Sequence, residues 1–178
     1  SSYSLTLMKD GKPVKRYWVA LGPAPKGHKL QEGDQRTPEG RYTLDYKKSN
    51  SGFYKAIHIN YPNLDDIKRA NELGVRPGGM IMIHGQLNRM GDRRVQPSNW
   101  TNGCIAVLNH EMDEIWNAVE PGTPIIIEPC SSPLTPAAQR AFYFLPGWRD
   151  SPSRTVLVFP VRVGSHKDDP MMSGTGLP

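Results

Sequence analysis

The chain is short of the features that would place it in several large classes. Two of its 178 residues are cysteine, Cys104 and Cys130. That is too few for a disulfide scaffold, and they lack metal-ligand spacing. A Cys104–Cys130 disulfide remains the plain structural alternative to any chemical role. No apolar run reaches the length needed to cross a bilayer, and no signal peptide is visible. The chain opens at Ser1 rather than Met, so a processed or trimmed form is expected, with any export signal removed. No Lys/Arg run of nucleic-acid-binding type is present. The densest basic cluster, Arg89–Arg94, is interrupted by Asp92, and RNA-recognition, zinc-finger and basic-helix signatures are absent. Nucleic acid is therefore not an expected partner. Hydrophobic residues make up 37% and mean hydropathy is −0.55, low for a globular domain, so loops or an exposed arm are expected. There are no internal repeats.

What is present points to a basic, turn-rich domain. The formal charge is +5 and the sequence pI about 9.3, which favours acidic partners such as nucleic acid, anionic lipid or cell-wall polymer without choosing among them. Seventeen glycines and seventeen prolines imply many turns, as in a mainly β fold. Residues 4–9 alternate apolar and polar, Asp10-Gly11 follows, and residues 14–21 read as the return strand of a hairpin. Residues 22–40 read as a long loop, and 41–46 and 55–60 as short strands. Asn63 is placed to cap a helix over 64–73, with Gly74 as its left-handed terminator. The apolar run 80–83 ends at His84-Gly85; residues 87–98 are polar and loop-like; 104–108 is again strand-like. Asn109 is expected to cap a helix over 110–119, in which Met112, Ile115, Trp116 and Val119 form one apolar stripe. Residues 124–128 read as a buried strand.

Composition shifts after Glu128. Eight of the seventeen prolines lie at or beyond Pro129, which divides the chain into a core domain, residues 3–128, and a Pro-rich extension, 129–178, with no assigned role. A strand over 155–163 and disorder over 164–178 are expected there.

Cys104 follows Thr101-Asn102-Gly103 and opens a strand-like run. A glycine before a cysteine permits a tight turn that aims the thiol and nearby N–H groups at one point, as a thiol nucleophile beside an oxyanion hole requires. A Gly-Cys pair packed in a core strand is the bland alternative. His84 ends an apolar strand and is followed by Gly85. A free thiol is only a few per cent ionised at neutral pH, and a neighbouring imidazole can take its proton. Alone, His84 reads better as a hydrogen-bonded histidine at a strand end.

The joint pattern narrows these alternatives. Ile83-His84-Gly85 is followed by a stretch containing Trp100 and then by Thr101-Asn102-Gly103-Cys104-Ile105-Ala106-Val107. Upstream lies Gly33-Asp-Gln-Arg-Thr37-Pro38-Glu39-Gly40-Arg-Tyr42. This arrangement, over about residues 3–128, resembles the L,D-transpeptidase catalytic domain, the YkuD family, and within it the YafK-type subgroup. The resemblance implies a mainly β, sandwich-like fold with a few short helices. It also implies a bacterial, exported enzyme, periplasmic or cell-wall associated, that acts on peptidoglycan stem peptides and bears on cell shape. Cys104 matches the nucleophile, His84 the base, and Gly85 the residue whose carbonyl orients the histidine. Backbone N–H groups near Gly103 and Cys104 would form the oxyanion hole, and Thr101 matches a Ser/Thr position. No cofactor or metal is implied, and carbapenem-type β-lactams are implied as inhibitors. Two positions depart from the common motif. Asn102 stands where a histidine is usual, and Ala106 where Asn or Arg is usual; both change the pocket wall. Trp100 could line a substrate groove or pack in the core. Arg89, Arg93 and Arg94 could meet a stem-peptide carboxylate or simply be solvated.

Three other readings concern the same residues. A sortase-like enzyme places Thr before its Cys and Arg on a following strand, whereas Gly103 precedes Cys104 here and no Arg lies between Arg94 and Arg140. An L,D-carboxypeptidase or amide hydrolase would use the same residues with water as acceptor. A cell-wall-binding domain without activity would keep the fold and not the reactivity.

Overall fold

The computed structural model describes residues 3–90, 98–129 and 155–159. Eight strands and two short helices follow in the order β1 (Tyr3–Lys9), β2 (Lys12–Val19), β3 (Gly40–Ser51), β4 (Tyr54–Ile59), α1 (Leu64–Glu72), β5 (Met82–His84), β6 (Ile105–Ala106), α2 (Asn109–Ala118), β7 (Pro124–Ile127) and β8 (Thr155–Phe159). The fold is mainly β with two helices, as the sequence implied.

The opening hairpin forms where Asp10 and Gly11 both take positive φ, 50° and 77°, the turn whose twist matches paired strands. The strands run in the order β2-β1-β8-β7-β3-β4-β5-β6. β3 joins two halves of this array. Its residues Gly40–Thr43 pair with β7, and its residues from Leu44 to Ser51 pair with β4, with two register shifts on that side. The two ends of the array also meet. Ala20, just past β2, and Ala106 in β6 exchange two backbone hydrogen bonds of 2.9 Å. That bridge draws the end of the hairpin against the strand that follows Cys104.

The core lies between the halves and under α2. Leu5, Leu44, Ile57, Ile59, Ile83 and Ile105 from the strands meet Met112 and Ile115 from the helix, all fully buried. Each such side chain contributes about 1.5–3 kcal/mol on leaving water. The expected helical stripe is confirmed: Met112, Ile115 and Val119 are buried and Trp116 packs on the cluster.

Helix α1 matches its sequence signals. Asn63 Oδ1 accepts from the N–H groups of Asp65 and Asp66, and Asp66 Oδ2 accepts from Asn63 N–H, a capping box. Gly74 follows with φ +67°. Helix α2 departs from expectation. Its N-cap is Leu108, whose N–H donates to Glu111 Oε2 at 2.9 Å, and Asn109 is the first helical residue. The Asn109 side chain is used elsewhere, at Gln86.

Other boundaries shift. β3 runs to Ser51 rather than Tyr46, β5 begins at Met82 rather than Met80, and the strand after Cys104 is only Ile105–Ala106. The strand expected over 155–163 is present as Thr155–Phe159, paired antiparallel to β1 and parallel to β7. Residues 129–178 thus supply an interior strand of the sheet. The expected disorder of 164–178 falls outside the described residues.

Candidate functional site

His84 is anchored on both flanks. Its backbone is level with Ala56 of β4 and Ala106 of β6, and its carbonyl accepts from Val107 N–H at 2.9 Å. The side chain is 3% exposed. The ring lies 4.6 Å from the Phe53 ring and 5.6 Å, edge-on, from Trp100. Nδ1 donates to the Gly85 carbonyl at 2.6 Å. A carbonyl only accepts, so the neutral ring carries its proton on Nδ1 and its lone pair on Nε2.

Gly85 is required by space. A Cβ there would stand 2.7 Å from Asn109 Oδ1 and 2.9 Å from Tyr54 Cβ. Asn109 Oδ1 accepts from Gln86 N–H at 2.8 Å, and Gly85 N–H donates to Lys55 O at 3.1 Å. The start of α2 and the end of β4 therefore fix the peptide whose carbonyl orients the ring.

The turn before β6 is closed by Thr101. Its Oγ1 donates to the Cys104 carbonyl at 2.7 Å and accepts from Gly103 N–H at 3.3 Å, and its own N–H donates to Leu21 O at 3.0 Å. Gly103 has φ +108°, and a Cβ there would lie 2.4 Å from Arg36 O. Glycine is needed at this position on both counts. The sequence expectation of a tight turn at Gly103 holds, with a backbone segment of the 22–40 loop pressed against it.

Parallel pairing sets Ile105 level with Ile83 and Ala106 level with His84. Cys104 thus stands beside Met82, two positions short of His84. The thiol, partly exposed, donates to the Met80 carbonyl at 3.5 Å rather than to the His84 ring. Met80 holds φ +57° and is 60% exposed. A bulky residue in that conformation is uncommon and tends to occur at functional sites.

Burial sets the charge states. It pushes the Cys104 thiol up from its ordinary value, against a Met82 N–H and the Lys29 charge, which pull it down. It pushes the His84 imidazole down, against the Gly85 hydrogen bond. Both effects favour the neutral forms.

The remaining sequence candidates divide. Asn102 is exposed and Trp100 half-buried against His84 and Phe53. Arg89 is exposed; Arg93, Arg94 and Cys130 lie outside the described residues. His28 accepts from Glu39 N–H and meets Asp66, His58 pairs with Asp45, and His110 is exposed, in keeping with structural or solvent roles. Sequence reasoning missed Met80, Phe53 and Lys29. Met80 carried no signal beyond its place in an apolar run, and Lys29 looked like one more loop cation. Among the described residues no three His, Cys, Asp or Glu side chains gather as metal ligands, and no helix is long and apolar enough to cross a membrane.

The chain is similar to several known proteins. The YafK protein of Escherichia coli strain K12 is 32% identical over 112 residues, which are 62% of this chain and 37% of YafK. This chain thus spans little more than a third of that relative's length. Among solved structures, the helical cell shape determining protein Pgp2 (K307A mutant) from Campylobacter jejuni is similar at 29% identity and a TM-score of 0.49, over 61% of this chain and 36% of that one. An L,D-transpeptidase from Mycobacterium smegmatis is similar at 16% identity and a TM-score of 0.44, over 70% and 54%. The family model for the YkuD L,D-transpeptidase catalytic domain matches residues 1–127, and the chain belongs to that family.

Proposed function

We propose that Cys104 attacks an amide carbonyl of a peptidoglycan stem peptide and transfers the acyl group to an amine. The observation that supports this best is the His84 tautomer. Nδ1–H is committed to Gly85 O, so Nε2 is the atom left with a lone pair, on the strand beside the Cys104 turn. The thiol leaves the Met80 carbonyl when its proton passes to Nε2.

The steps balance as follows. Nε2 takes the thiol proton while sulfur forms a bond to the carbonyl carbon. The oxyanion is met by backbone N–H groups of the 103–104 turn; Gly103 N–H is shared with Thr101, which leaves Cys104 N–H the better placed donor. The carbon–nitrogen bond then breaks, and the imidazolium gives its proton to the departing amine. The resulting thioester is attacked by an acceptor amine, whose proton returns through His84 to the sulfur as the carbon–sulfur bond breaks. No acidic third residue is needed, because Gly85 O does the orienting. Trp100 and the exposed Asn102 line the approach. The protein acts outside the cytoplasm, where this polymer lies, and carbapenem-type β-lactams acylate the same sulfur.

The test is muropeptide mass spectrometry after incubation with tetrapeptide-rich peptidoglycan, with Cys104→Ala alongside. New dimers linked between two diaminopimelate residues, made by the wild type alone, support the transferase. Shortened stems or released protein remnants without dimers would assign water as acceptor. No change in either sample would replace the enzyme reading with a wall-binding domain.

A further inference from the structure

Lys29 is a lysine in a loop, yet it is 3% exposed. Its Nζ donates to Asp34 Oδ1 at 2.8 Å and to Gln31 O at 3.0 Å. Asp34 in turn accepts from the N–H groups of Leu30, Gln31 and Arg36 at 2.8–3.1 Å. Burying an ammonium is costly unless it is paired and hydrogen-bonded, so a buried Lys-Asp pair in a surface loop calls for a reason. The loop's contacts supply one. Gln35 O sits where a Cβ on Gly22 would lie, at 2.0 Å; Arg36 O stands 2.4 Å from a Cβ on Gly103; and Glu32 Cα stands 3.1 Å from a Cβ on Gly78. The segment keyed by Lys29 and Asp34 is thus seated on backbone just before Met80 and just before Cys104.

We propose that Lys29 is a positioning residue for Cys104: its ammonium, clasped by Asp34, seats the 29–36 segment against the Gly103 backbone and so holds the turn that presents the sulfur. The inference rests on the thiol chemistry proposed above, but not on its substrate. The Lys29 charge favours the thiolate. Among the described residues, Arg36 on the same loop turns its guanidinium toward Gly27, and His84 ends the neighbouring strand β5.

The experiment is peptide-level mass spectrometry of Cys104 alkylation by iodoacetamide across pH, in the full chain. It reads the thiol whatever the polymer assay yields. Lys29→Met is expected to move the alkylation profile up in pH, with a loss of rate on its rising limb, and Lys29→Arg to restore most of it. Asp34→Asn opens the clasp and is expected to move the profile in the same direction as Lys29→Met. A folded Lys29→Met protein with an unchanged profile would overturn the proposal. If Lys29→Met does not fold, Asp34→Asn decides: an upward shift upholds it, and no shift or a downward one overturns it. A normal shift in a protein that leaves peptidoglycan untouched would uphold Lys29 and count against the substrate alone.

Discussion

His84 Nδ1 and the carbonyl of the next residue, Gly85, are joined at 2.6 Å, so one peptide serves as the orienting partner that an acidic side chain supplies in other nucleophile–base pairs. That peptide is held by Asn109, Tyr54 and Lys55, which ties the orientation of the ring to the packing of α2 and β4.

Gly85→Ala is expected to cost about 1–3 kcal/mol of stability from overpacking, and to lower turnover further than that loss explains. The new Cβ would displace Asn109 Oδ1 or Tyr54, and with them the carbonyl that fixes the tautomer. Chemical denaturation and a turnover assay on the same preparation check both. Native turnover in Gly85→Ala would contradict the orienting role.

Two asparagines at helix starts separate fold from site. Asn63→Ala removes a true cap from α1 and is expected to cost about 1 kcal/mol with turnover intact. Asn109→Ala strands the buried N–H of Gln86, at about 1–3 kcal/mol, and is expected to reduce turnover as well. Equal turnover in the two variants would contradict the assignment.

The hairpin, α1 and the stripe of α2 were legible in the sequence because their signals are local: Asp10-Gly11, Asn63 with Gly74, and Met112 with Ile115. The reach of β3 past Tyr46 was not, because Lys47–Ser51 is polar and mostly exposed on both faces, and only pairing with β4 makes it a strand. Asn109 was misread as a cap because a helix-start asparagine looks the same whether it bonds its own helix or Gln86. Cys104, His84 and Gly85 were singled out by motif; His84 ends β5, Gly85 follows it, and Cys104 directly precedes the adjacent β6. Lys29 was invisible because its segment is seated, through Glu32, Gln35 and Arg36, on Gly78, Gly22 and Gly103 from distant parts of the chain.

The charge states give a pH signature. Burial raises the Cys104 thiol and lowers the His84 ring, so the resting pair is neutral at pH 7. Alkylation of Cys104 needs the thiolate and is expected to be slow at pH 7 and still rising beyond the ordinary thiol value of 9.0. A plateau already reached below pH 7 would instead reveal a standing thiolate–imidazolium pair.

The same lowering of His84 has a stability consequence. Below the ordinary value of 6.5 the unfolded ring takes up a proton that the folded ring resists. Stability from this group is therefore complete above 6.5 and falls as pH drops below it. Denaturation midpoints between pH 8 and 5 are expected to fall less steeply in His84→Asn than in the wild type. Parallel slopes would contradict a buried neutral His84.

The central claim is that Cys104 carries the acyl group and His84 supplies the proton transfers. Intact-protein mass spectrometry after brief incubation with a carbapenem tests it most directly, in the wild type, Cys104→Ala and His84→Ala. The expected result is one covalent adduct on wild-type Cys104 and none on Cys104→Ala, with adduct formation slowed about 10²–10⁴-fold in His84→Ala. An adduct that persists in Cys104→Ala, or forms at the wild-type rate without His84, would contradict the account.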